Sequence, residues 1–153
     1  MAEWVYVGQQ TVQPGEFILF NEVNQPCMLG LILHRAGSGG FMVKGTAVKP
    51  QALRRRCPCC GGNDTVNYKV KFGANVAVPT GETVGPITVA IVVGSATLLG
   101  TEMESTPTAV EEFNNISRDT LAPVFKGCCQ EIGVRNTSPI PILVENAIID
   151  IEQ

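Results

Sequence analysis

The clearest pattern in the chain runs through residues 65–78, TVNYKVKFGANVAV, where Val66, Tyr68, Val70, Phe72, Ala74, Val76 and Val78 share one parity. Most of the residues between them are polar or small, so the segment reads as a long strand with one face in a core and the other toward water. Its length exceeds that of an ordinary strand, and Gly73 is the expected point for a bulge or bend. Pro79-Thr80-Gly81-Glu82 carries turn chemistry. A second strand follows over residues 86–93, with Ile87, Val89, Ile91 and Val93 on one face, and Gly94-Ser95 turns it into a hairpin with residues 96–99.

The same grammar fills both ends of the chain. Short β-type runs at residues 4–7, 17–20, 28–34 and 41–48 are separated by Gln-Pro-Gly, Asn-Gln-Pro and Gly-rich breakers. Residues 122–125, 129–135 and 140–151 repeat the pattern. In the last run Ile140, Ile142 and Val144 share one parity, whereas Ala147, Ile149 and Ile151 share the other. A bulge near Glu145-Asn146 reconciles the two. Only residues 106–118 resemble a helix, with Thr108 as cap, Glu111 as capping-box partner, and Val110 with Phe113 on one apolar side. Many short strands punctuated by 16 Gly and 10 Pro predict an all-β antiparallel sandwich or barrel with at most one short helix.

Composition narrows the classes. The 153 residues suit one domain, 1–153, although residues 1–25 could instead form an N-terminal arm or anchoring segment. Charged residues make up only 16% against a usual share of about 25%, and mean hydropathy is +0.17, which points to surface buried against other subunits. The net charge of −3 argues against a general nucleic-acid binder. No run of about 18 apolar residues is present to span a bilayer, and MAEWVYVGQQ lacks the basic and apolar regions of a secretory signal, so synthesis in the cytoplasm is expected.

Candidate chemistry centres on Arg54-Arg55-Arg56-Cys57-Pro58-Cys59-Cys60-Gly61-Gly62-Asn63. Cys57 and Cys60 stand at the spacing of a zinc knuckle, but a complete intrachain ribbon needs a second pair, and the chain offers only Cys27, the adjacent Cys128-Cys129 and the single His34. Three readings stay open: zinc held by Cys57 and Cys60 with help from other subunits, disulfides among Cys27, Cys57, Cys59, Cys60, Cys128 and Cys129, or reduced thiols partly buried. The Arg triplet reads as a solvated loop face. One histidine supplies no catalytic triad, so His34 reads as structural or surface, and Glu102, Glu104, Glu111 and Glu112 fit no calcium loop. No enzyme is expected and no cofactor beyond that zinc. Trp4, Tyr6, Phe17 and Phe20 crowd the N-terminal region and are either core or a subunit interface.

VNYKVKFGANVAVPTGETVGPITVAIVVG, KGCCQEIGVRNTS and the closing AIIDIEQ together resemble the compact jelly-roll domains of the tumour necrosis factor and complement globular-head superfamily. The likeness is greatest to the small bacterial and phage versions at the tips of spore or virion fibres, including those from phages and prophages of gut Firmicutes. It covers residues 65–151 well and the N-terminal third loosely. It implies a ten-strand jelly roll forming a homotrimer, located in a virion as a head fibre, decoration or tail-associated structural module, with other virion proteins as partners. The alternative it leaves is a carbohydrate- or receptor-binding tip domain. No Gly-X-Y stalk is present, which departs from the spore-fibre pattern.

Overall fold

A computed structural model describes residues 1–27, 30–46, 65–127 and 129–153. Among these, eleven strands form two antiparallel sheets: β1 (Ala2–Val12), β2 (Glu22–Gln25), β3 (Ile32–His34), β4 (Gly40–Lys44), β5 (Thr65–Ala77), β6 (Ile87–Val93), β7 (Ala96–Thr97), β8 (Met103–Ser105), β9 (Asn114–Phe125), β10 (Cys129–Asn136) and β11 (Ile142–Glu152). One sheet has the order β2-β1-β11-β5-β9, the other β3-β4-β10-β6-β7 with β8 also on β6. Each sheet turns an apolar face to the other. Val66, Tyr68, Val70, Phe72, Ala74 and Val76 of β5 are buried as their shared parity predicts, and they meet Ile87, Val89 and Ile91 of β6 and Ile132 and Val134 of β10 in one core.

The expected bulge in the last strand is present, and a second one sits beside it. Going from Ile148 to Glu145, β11 spends three steps while β5 spends two, from Gly73 to Asn75. On its other side, β1 spends three steps from Tyr6 to Gln9 against two in β11. Asn146 (φ 51°) and Gly8 (φ 101°) take the left-handed conformations this requires, which Asn and Gly adopt at least cost. Because of the extra residue, Val144 and Ala147 both point into the core, and so do Ile149 and Ile151. The bulge therefore lies in β11 and not at Gly73: β5 runs past Gly73 in unbroken register with β9.

Two further expectations are corrected. Residues 106–118 form no helix. Glu112, one position beyond the supposed capping partner Glu111, accepts hydrogen bonds from the Thr108 and Ala109 N–H groups and the Thr108 hydroxyl, closing a tight turn that leads into β9. Glu111 itself has a positive φ of 57°, which no helix continues, and its carboxylate accepts from the Thr80 hydroxyl at 2.8 Å. Residues 17–20 form no strand either. They cross from one sheet to the other, with single bridges Phe17 to Arg135 and Phe20 to Ser38. The Gly94-Ser95 hairpin is present as expected, with φ 65° at Gly94.

Polar side chains tie the two sheets at opposite ends. Asn136, fully buried at the end of β10, donates from Nδ2 to the Val12 and Ile140 carbonyls at 3.0 Å each, and its Oδ1 accepts from the Ser138 N–H and hydroxyl. At the other end Tyr68 of β5 donates its hydroxyl to the Lys44 carbonyl of β4 at 2.6 Å. Both replace water with protein partners for groups that the core would otherwise strand. Asn136→Ala leaves two carbonyls and one N–H without this partner and is expected to cost about 2–4 kcal/mol in urea unfolding. Tyr68→Phe keeps the ring and removes the hydroxyl with its bonds to the Lys44 carbonyl and to Gln153, for an expected loss of about 1–2 kcal/mol in the same measurement.

Candidate functional site: the outer face of the five-stranded sheet

The outward residues of β1, β11, β5 and β9 form a continuous surface. The ladder sets Val5 opposite Ile148, and Ile148 opposite Gly73, so at the double bulge the sheet presents Val5, Val7 and Ile148 around a shallow hollow of about 310 Å³. Val7 is 64% exposed, a high value for an aliphatic side chain in the middle of a sheet. Toward the end of β9, Leu121 (60%) and Phe125 (62%) make a second apolar area on the same face.

Between the two apolar areas runs a charged row. Glu3 of β1 stands opposite Asp150 of β11, Asp150 opposite Lys71 of β5, and Lys71 opposite Asp119 of β9. Alongside it Glu152 stands opposite Lys69, with 3.9 Å between Nζ and Oε1. The acids of β1 and β11 thus flank the lysines of β5. Glu3 accepts a hydrogen bond from Asn24 of β2 at 2.8 Å. Asp150 differs from its neighbours, because its Oδ1 is buried and has no hydrogen-bond partner among the described residues. Burial holds its carboxyl above the usual aspartate range; the nearby Glu152 carboxylate and Glu3 push the same way, and Lys71 and the terminal amino group oppose them.

Of the four aromatic residues expected as core or interface, two lie in the core. Trp4 and Phe20 are buried and pack on Phe41, with ring centroids 4.7 Å and 5.4 Å away, so both belong to the core of the chain itself. Tyr6 is half-buried at the rim of the Val5–Val7 hollow. Phe17 lies on the opposite sheet, where the Arg135 guanidinium sits 4.8 Å from its ring centroid and a Cβ on Gly133 would come within 2.7 Å of it. His34 is structural. It stacks on Phe41 at 4.2 Å, and its two ring nitrogens lie 3.1 Å from the Gly40 and Phe20 carbonyls.

Cys57, Cys59, Cys60, Cys128 and the Arg triplet lie outside the described residues. Cys129 is exposed at the start of β10, opposite Lys44, and Cys27 packs half-buried against the core. Both are near enough to Tyr68 to act on its hydroxyl, whose pKa is raised chiefly by burial, lowered in part by a hydrogen bond with Gln153, and raised further by the two thiols. These cysteines therefore gather at the end of the sandwich that Tyr68 ties. Among the described residues no group of three or more His, Cys, Asp or Glu side chains is placed to hold a metal ion. No helix there is long and apolar enough to cross a membrane.

A second hollow, of about 450 Å³, lies on the other sheet between Leu33, Arg35, Met42 and Glu131. It combines exposed apolar side chains with both signs of charge. The residues of the main face were hidden in the sequence by their parity: Val5 and Val7 alternate with the inward Trp4 and Tyr6, as Leu121 and Phe125 alternate with the inward Ala122 and Val124. Apolar residues on the wrong parity of a half-buried strand are the signal that would have found them.

A scan against protein-family models finds no match to this sequence, and a search of curated proteins finds none. Solved structures do match. The globular domain of zebrafish complement 1qA protein superposes with a TM-score of 0.63 over 99% of this chain and 94% of its own length, at 12% sequence identity. Eiger TNF from S. frugiperda gives a TM-score of 0.59 over 99% of this chain and 91% of its own, also at 12% identity. At such identities the likeness is one of fold, and the fold is that of a TNF/C1q-like all-β antiparallel jelly roll.

Proposed function

We propose that this chain is a non-enzymatic assembly module that works as a homotrimer through the outer face of its five-stranded sheet, and that it serves as a head-fibre, decoration or tail-associated structural protein of a phage or phage-like particle. The observation that carries the assembly reading is that face: exposed Val7 and Ile148 beside half-buried Val5 on one side of a charged row, and exposed Leu121 and Phe125 on the other, on a jelly roll with a low charged share. The two apolar areas supply the burial that association needs. The particle reading draws on the sequence resemblance to phage jelly-roll proteins and on the jelly-roll fold.

A receptor- or carbohydrate-binding role at a fibre tip is the second reading. The hollow between Leu33, Arg35, Met42 and Glu131 favours it, since an apolar platform beside charged groups suits a polar ligand with one flat face. In a trimer built on the five-stranded sheets this second sheet would face outward.

Light scattering of the purified chain is expected to give three times the chain mass of 16.3 kDa at micromolar concentration. A double change of Val7→Glu and Ile148→Glu, both at exposed positions, is expected to weaken association by at least about 100-fold while leaving the circular dichroism unchanged, since burying two unpaired carboxylates costs several kcal/mol. A stable monomer at that concentration overturns the assembly reading. Mass spectrometry of purified particles from the source culture is expected to find the chain at structural copy number, and its absence from them overturns the particle reading alone.

A further inference from the structure

We propose, resting on the reading that copies associate through the outer face of the five-stranded sheet, that the protonation state of Asp150 sets how tightly they do so. Asp150 lies in the middle of that face, between its two apolar areas. The charged and titratable groups around it come from every strand packed against β11. On β1 Glu3 stands directly opposite, and the terminal amino group acts from beyond the start of that strand. On β5 Lys71 stands opposite, with Lys69 two residues along. Glu152 follows on its own strand, engaged with Lys69, and Asp119 lies beyond Lys71 on β9. Four carboxylates thus share two lysines on the two adjoining rows.

In the single chain this arrangement is tolerable because water screens most of the row. A second copy laid over it removes that water and strengthens the repulsion between Glu3 and Asp150, which no lysine separates. Most of the other carboxylates have a partner: Glu3 accepts from Asn24, and Glu152 faces Lys69. The Oδ1 of Asp150 has none among the described residues, so its charge gains least from staying. Protonation removes one negative charge from the row and turns an acceptor into an O–H donor that Glu3 or a group of the neighbouring copy can accept.

The direction of the effect follows. Assembly disfavours the ionised carboxyl, so the pKa is higher in the assembled state than in the free chain, and a proton is taken up on association. Association therefore tightens as pH falls through the assembled-state pKa and levels off below the free-chain value. Stability of the single chain moves the same way, because the folded-state carboxyl already sits above the usual aspartate range.

Sedimentation equilibrium of the full chain at about pH 7.5 and about pH 5 tests this, at fixed ionic strength. The wild type is expected to associate measurably more tightly at the lower pH, by up to about tenfold per chain for each pKa unit that separates the two states. Asp150→Asn, nearly isosteric, is expected to associate at about pH 7.5 as tightly as the wild type does at about pH 5, with most of the pH response gone. Asp150→Ala, which removes the charge and both oxygens, is expected to blunt the response in the same way, and circular dichroism of both variants checks that they fold. Association of the wild type without a pH response overturns the proposal, as does a response that survives unchanged in folded Asp150→Asn or Asp150→Ala. Absence of association at either pH overturns the assembly reading as well, so the two failures are told apart.

Discussion

One residue too many in β11 shapes the rest of the five-stranded sheet. A strand alternates its side chains strictly, so Ile142 and Val144 on one parity and Ala147, Ile149 and Ile151 on the other could not all reach the core of a regular sheet. The extra residue at Asn146 turns the second half of the strand over, and all five reach it. The cost falls on the neighbours. β1 must add a residue of its own at Val7-Gly8 to stay in step, which leaves Val7 standing out from the sheet, while Ile148 is turned to the outside between two buried residues. The apolar hollow on the outer face is thus a by-product of keeping the inner face apolar. Bulges of this kind re-aim side chains, and here two aliphatic ones, Val7 and Ile148, end at water.

The sandwich is closed by apolar contact, which has no direction, and aligned by a few polar contacts, which do. Asn136 at one end meets two carbonyls and the Ser138 backbone and hydroxyl, and Tyr68 at the other meets the Lys44 carbonyl. Sliding one sheet over the other by a single residue would keep most of the apolar burial but would break both sets. Register between the sheets is thus fixed in part by polar contacts at both ends, Asn136 at one and Tyr68 with Gln153 at the other.

Much of the fold was legible because it depends on parity. The long strand β5, the hairpin at Gly94-Ser95 and the reversal near Glu145-Asn146 all follow from counting by twos. Residues 106–118 misled because Thr108 and an acid a few positions on serve equally for a helix cap and a closed turn. Glu112 reaches the Thr108 and Ala109 N–H groups, the chain takes a positive φ at Glu111, and the helix has nowhere to go. Gly73 misled because a glycine in a strand marks a place where strain is permitted, and the strain arose across the ladder in β11. The aromatic residues near the N-terminus were half legible: parity distinguishes Trp4 from Val5, but only the crossing of the chain at residues 17–20 sends Phe20 into the core and Phe17 onto the far sheet. The candidate face was illegible for the opposite reason, since its residues are exceptions to the pattern from which the fold was read.

The path of the first 34 residues also has a mechanical meaning. β1 lies inside the five-stranded sheet, residues 15–20 bond to β10 and to Ser38 in the other sheet, β2 returns to the first, and β3 goes back to the second. This segment is laced through both layers, so a pull on Ala2 along the strand loads the β1–β11 ladder in shear, all its hydrogen bonds at once, and the sheets cannot part until the lacing gives. The lacing therefore passes tension applied near Ala2 into both sheets at once.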